Sequence, residues 1–151
     1  MTAAEQDDLF GQLLQVVRAL KRVSPPGPVD GPMLGFLLEL RRLAPVRHSD
    51  LAAAIGLDAS TVSRHVSALG REGWVAREPD PGDGRASRLA LTEAGEAVLE
   101  EAVSGRRYVL DEATRGWKAT ERSELARLLH RLAVDLETHT TRKHTSPERV
   151  R

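Results

Sequence analysis

HSDLAAAIGLDASTVSRHVSALGREGW, residues 48–74, is the stretch on which the fold turns. Its spacing predicts two short helices. The first runs from about Ser49 to Ile55, with Leu51, Ala52 and Ile55 on one face. Gly56 can take the left-handed conformation that closes a helix. Asp58 suits the N-cap of the second, because its carboxylate can accept from unpaired N–H groups two or three residues on. That second helix runs from about Ala59 to Glu72 and stops before Gly73. Two helices joined by a short turn containing glycine form a helix-turn-helix.

Wound at about 100° per residue, the second helix gathers Val62, Val66 and Leu69 within about 60° of one another. Opposite them stand Ser60, Arg64, Ser67 and Arg71, with Ser63 on one flank and Thr61 and His65 on the other side. Small side chains let a backbone approach base edges in a major groove, hydroxyls reach bases or phosphates, and arginine offers the fork that fits guanine. The N–H groups at the helix start also suit a phosphate. An ordinary solvated face would be polar too, but it would carry more Glu and Lys than this one does.

Upstream, Leu9, Leu13, Val16, Leu20 and Val23 recur at alternating spacings of four and three. This predicts an amphipathic helix over about Asp7 to Val23, with a seam suited to another helix. SPPGPVDGP, residues 24–32, ends it. MLGFLLELRRL, residues 33–43, is apolar on most sides and reads as a buried central helix that Pro45 breaks. Downstream, WVAREP and ASRLALT read as two strands around DPGDG, with Leu89 and Leu91 alternating with Arg88 and Ala90. Thr92 is a candidate N-cap for a helix over about Glu93 to Arg115, whose stripe is Ala94, Val98, Ala102, Val109 and Ala113. After a bend at Gly116 and Trp117, a last helix, about Thr120 to Thr138, carries Leu125, Leu128, Leu129, Leu132 and Leu136. THTTRKHTSPERVR has no apolar face and is expected to be mobile.

With 151 residues and no cysteine, the chain needs no disulfide staple and fits a reducing cytoplasm. MTAAEQDDLF shows no secretory signal, and no apolar run approaches the roughly 20 residues of a membrane helix. The expected location is therefore cytoplasmic, without membrane attachment. The formal net charge of zero counts against a strongly basic nucleic-acid binder, although the placement of cations matters more than their sum. At 3% aromatic residues, base-stacking platforms for single strands are not expected. His48, His65, His130, His139 and His144 have no metal-ligand spacing, and neither a glycine-rich phosphate loop nor a nucleophile motif is present. An enzyme, a metal site and a cofactor are all unexpected.

The ordered set LA…IG, STVSRHVSAL, EGWV, R..D..D.R and LT..G resembles the DNA-binding core of the MarR family of winged-helix regulators. Each motif alone is weak; their order is specific, and with the flanking helices the resemblance spans nearly the whole chain. It implies a mainly α fold with a small β-wing: a winged helix-turn-helix lobe plus a helical dimerisation region. The corresponding division is N-terminal helices over 1–44, the DNA-binding lobe over 45–92, dimerisation helices over 93–139 and a tail over 140–151. It implies a homodimer, with Leu9, Leu13, Val16, Leu128, Leu132 and Leu136 as dimerisation residues. The alternative is that these helices fold back on their own lobe.

The resemblance further implies a regulator, a repressor by family habit, that binds a pseudo-palindromic operator in double-stranded DNA. Ser60, Thr61, Ser63, Arg64, His65 and Ser67 would read the major groove. The family's Asp-x-Arg wing pattern falls on Asp83 and Arg85, the arginine entering the minor groove and the aspartate aiming it. Arg88 and Arg77 are candidates for phosphate contacts, or plain strand-surface charges. A small aromatic or phenolic effector, seated between dimerisation region and lobe, is also implied, with no residue diagnostic of it.

Two features depart from the pattern. Glu78, Asp80 and Asp83 make the wing acidic, and Arg47 and His48 stand where Ser or Thr often caps the first short helix. Asp80 could bond its own turn or simply weaken DNA binding. The neutral charge and acidic wing also suit a winged-helix module that binds protein without specific DNA binding.

Overall fold

The computed structural model describes residues 3–23 and 27–145, with the side chains of 8–23, 27–83 and 86–139. The order of elements is α1 (Ala3–Val23), α2 (Gly31–Leu43), β1 (Val46–Arg47), α3 (His48–Ile55), α4 (Ala59–Arg71), β2 (Val75–Asp80), β3 (Asp83–Leu91), α5 (Glu93–Ala113) and α6 (Ala119–Thr145). Helix dominates, beside one antiparallel sheet of order β1-β3-β2. The chain divides into two compact units, Met1–Val109 and Leu110–Arg151.

In the first unit the core is built around α2, α3 and α4. Phe36, Leu37 and Leu40 of α2, Leu51 and Ala52 of α3, and Val62, Val66 and Leu69 of α4 are all buried. Fully burying an aliphatic side chain stabilises by roughly 1.5–3 kcal/mol, so the three α4 residues fix which face of that helix points out. Val46, Val75 and Leu89 close the core from the sheet. α2 is central, although Leu38 is exposed. It begins at Asp30, whose carboxylate accepts from the Met33 N–H at 2.8 Å. That cap lies in the stretch expected only to break the chain.

The turns follow local chemistry. Gly56 closes α3 at φ 65°, in the left-handed region, and Asp58 caps α4. Thr92 caps α5 as expected: its hydroxyl accepts from the Gly95 N–H at 3.0 Å and donates to the Gly73 carbonyl at 2.6 Å. The α5 start is thereby pressed onto the base of the ribbon. A Cβ on Gly95 would stand 2.1 Å from the Trp74 carbonyl oxygen, which gives LT..G a steric reason. That contact also sets the buried face of α5. Gly95 and Leu99 lie inside, with Val98, Ala102 and Val103 packed beside them. The expected stripe members Ala94 and Ala113 are exposed, and Leu99 had no place in the stripe.

β1 was not foreseen. It is only Val46–Arg47 and pairs with β3, Val46 opposite Leu89 and Arg47 opposite Arg88. A two-residue strand has no periodicity to detect.

In the second unit, α6 is started by Glu121, whose side chain accepts from the Lys118 N–H at 2.7 Å. Glu124 and Arg127 pair one turn apart. The helix runs on to Thr145, into the segment expected as tail, because backbone bonding needs no apolar face. Residues 146–151 lie outside the described residues.

Candidate nucleic-acid interface

The outward face of α4 starts from Asp58. Its carboxylate accepts from the Ser60 hydroxyl, from the Thr61 N–H at 2.9 Å and from the Thr61 hydroxyl at 2.7 Å. Thr61 in turn accepts from Arg64 Nη2 at 3.0 Å. A chain of bonds thus runs from the helix cap to the arginine at the centre of the exposed face. These donors, the Ser60 hydroxyl first and then the Thr61 hydroxyl and N–H, hold the Asp58 carboxyl well below the usual carboxylate range. The Thr61 N–H expected to suit a phosphate is already bonded to this carboxylate.

Ser60, Ser63, Arg64 and Ser67 are exposed, and Thr61 is half-buried. His65 differs from them. Its ring packs against Phe36, with centroids 5.2 Å apart and planes tilted by 57°, and its Nδ1 is buried without a hydrogen-bond partner. The helical wheel carried this signal, since position 65 falls only about 40° from Leu69 at about 100° per residue.

In the wing, Asp80 is the organising residue, and sequence reasoning had left it unassigned. Its side chain is 0% exposed. Oδ2 accepts from Arg47 Nε at 2.7 Å and from Arg88 Nε at 3.0 Å, and Oδ1 accepts from the Gly82 N–H at 2.8 Å. Asp80 does bond its own turn, and it also ties β1 to β3. The Arg47 and Arg88 guanidiniums, with the Gly82 N–H, hold its carboxyl well below the usual range. This also explains Arg47 at the start of α3, where it makes no side-chain cap: its guanidinium is committed to Asp80. Asp83 is exposed at the start of β3. The side chain of Arg85 lies outside the described residues, so the Asp83–Arg85 pairing stays an expectation.

Of the dimerisation residues, Leu9, Leu13 and Val16 on α1 and Leu128, Leu132 and Leu136 on α6 are all exposed. Among the described residues no group of metal-ligating side chains assembles, and no helix is long and apolar enough to cross a membrane.

The MarR family profile matches residues 34–87, from α2 into the wing. The uncharacterized HTH-type transcriptional regulator YxaD of Bacillus subtilis (strain 168) is 31% identical over 97 residues, covering 64% of this chain and 68% of YxaD. The chain belongs to the MarR family. This MarR-family chain is accordingly a DNA-binding transcription regulator rather than an enzyme. The transcriptional repressor MprA of Escherichia coli (strain K12) is 26% identical over 100 residues, 66% of this chain and 57% of MprA, little more than half that relative's length. A MarR family protein from Bacillus stearothermophilus shares the fold, with TM-score 0.79 at 23% identity over 91% of this chain and 99% of that one. The PcaV regulator from Streptomyces coelicolor, solved with its natural ligand, gives TM-score 0.61 at 27% identity over 83% of this chain and 89% of PcaV.

Proposed function

We propose that the protein is a cytoplasmic, homodimeric repressor that binds a pseudo-palindromic operator and is released by a small aromatic acid. The observation that carries the DNA contact is the α4 face opposite Val62, Val66 and Leu69, where Arg64 is pre-set by Thr61 and Asp58. Ser60, Ser63, Arg64 and Ser67 enter the major groove, and half-sites lie about one helical turn apart. The wing enters the adjacent minor groove, with Arg85 drawn by its negative potential and Asp83 aiming it. The repressor MprA among the relatives supports the direction of regulation.

The homodimer rests on the exposed apolar rows of α1 and α6. Monomeric proteins rarely leave such rows uncovered. Leu13→Glu and Leu128→Glu should each move the chain from dimer toward monomer in sedimentation velocity; retention of the dimer in both would overturn this arrangement.

For the effector, the first unit holds a cavity of about 150 Å³ lined by Pro28, Val29, Val98, Glu101, Ala102 and Arg106. Its volume is that of one benzene ring; Arg106 places a cation at its wall, bonded to the Ala102 and Val29 carbonyls at 3.0 and 2.9 Å, and Glu101 an anion. The PcaV structure with its ligand makes a ligand-responsive member a reasonable precedent. Benzoate-type acids should raise the melting temperature and release promoter DNA.

The whole reading is tested by fluorescence anisotropy with promoter DNA. If Arg64→Ala and Arg85→Ala both bind as tightly as the parent chain, this docking is wrong. The protein-binding alternative retains the neutral net charge and the exposed Glu78 and Asp83, and failure to bind any duplex at low salt would favour it.

A further inference from the structure

Arg47 and Arg88 are direct cross-strand partners on β1 and β3. Like charges placed opposite each other in a sheet repel, so this register requires compensation. Asp80 supplies it: both arginines donate through Nε to the same carboxylate oxygen. The carboxylate itself is sealed, at 0% exposed, while the side chains of Arg47 and Arg88 are 44% and 36% exposed. Use of Nε leaves the terminal amino groups of both guanidiniums available, and among the described residues neither arginine makes another hydrogen bond or ion pair. Glu78 stands opposite Arg88 across the ladder, and Asp83 and Asp50 also act on Arg47, so what the cluster offers a ligand is two fixed guanidinium forks and not a net positive charge. The positive end of the α3 dipole begins at the same place, since Arg47 is the residue from which that helix starts.

We propose that Arg47 and Arg88, held side by side by the buried Asp80 carboxylate, form a paired-guanidinium seat for one backbone phosphate of double-stranded DNA, on the sheet beside the turn of the wing. The proposal rests on the DNA-binding reading above and adds two residues to it, Arg47 as a contact and Asp80 as a positioning residue. A guanidinium fork matches phosphate geometry, and two forks already fixed in place lose less entropy on binding than free side chains would. The seat lies between the two parts that must engage adjacent grooves, the helix-turn-helix that begins at α3 and the wing formed by β2 and β3. A phosphate held there would set the register of one against the other, as backbone contacts do in general.

The test separates positioning from bulk charge. Asp80→Asn raises the net charge by one, so simple electrostatics predicts tighter DNA binding. The seat requires the opposite: affinity for a labelled random-sequence duplex of about 30 base pairs should fall about tenfold. Arg88→Gln should make the plot of log affinity against log salt shallower by about one, a slope that partial unfolding does not change. Thermal melting checks the fold of each variant. Should Asp80→Asn not fold, Arg47→Lys and Arg88→Lys decide, because a lysine keeps the charge but loses the Nε bond and the fork; each should bind about tenfold more weakly. Binding by Asp80→Asn as tight as or tighter than the parent, or lysine variants equal to the parent, would overturn the seat alone. Failure of the parent chain to bind the duplex at low salt would overturn the DNA-binding reading as well.

Discussion

Asp58 and Asp80 perform related tasks at opposite degrees of burial. Each is a short carboxylate that organises arginine, and each is held ionised by its donors. Asp58 stands exposed at the tip of α4 and acts on Arg64 through Thr61, within one helical turn. Asp80, at the end of β2, has its side chain covered and bonds Arg47 and Arg88 directly, across three strands. An exposed cap is a local device, since water can satisfy the groups it leaves behind. A buried carboxylate is a tertiary device: removing it leaves two guanidiniums facing each other and an unfilled space. One lobe therefore holds a recognition helix whose polar face tolerates exchange and a three-strand carboxylate junction that does not.

The largest effect is expected at the other end of the ribbon, at its base. Gly95→Ala places a methyl group against the Trp74 carbonyl, and such overpacking costs about 1–3 kcal/mol or more. Urea denaturation should show the loss, and an unchanged midpoint would mean the α5 junction is softer than its geometry. Next comes the direct comparison. Asp80→Ala should lower the melting temperature clearly more than Asp58→Ala, and equal losses would erase the distinction between buried and exposed carboxylates. Arg64→Ala should leave stability untouched and cost about 1–3 kcal/mol in operator binding, measured by anisotropy.

The smallest effect is the pH dependence. Both carboxyls are depressed from an ordinary value of 3.8. Their contribution to stability is therefore complete above that value and drains away as pH falls below it toward the folded-state values. Thermal melts should show the parent chain losing stability on that acid limb. Asp80→Asn, having no carboxylate to protonate there, should lose less over the same interval.

Legibility from the sequence followed the range of the interactions. The caps at Asp58 and Thr92, the left-handed Gly56 and the core face of α4 were all read correctly, because each depends on residues within a turn or two. His65 is half-buried against Phe36 of another helix, although its place about 40° from Leu69 on the wheel already turned it toward the core. Leu99 was missed because the inward face of α5 is set by the approach of Gly95 to Trp74. β1 was missed because two residues make no pattern.

The wing shows where the two kinds of information part. Sequence alone determined that the chain carries a helix-turn-helix followed by a ribbon, since hydrophobic period, capping residues and glycine turns are encoded locally. It also marked Arg64 as the centre of an outward polar face. Sequence could not show that Asp80 belongs to Arg47 and Arg88 rather than to solvent. Arg47 is 33 positions away in the chain, and only the pairing of β1 with β3 brings it within reach. Whether an acidic residue weakens a DNA-binding surface or builds one depends on what surrounds its carboxylate, and that is set by the folded chain.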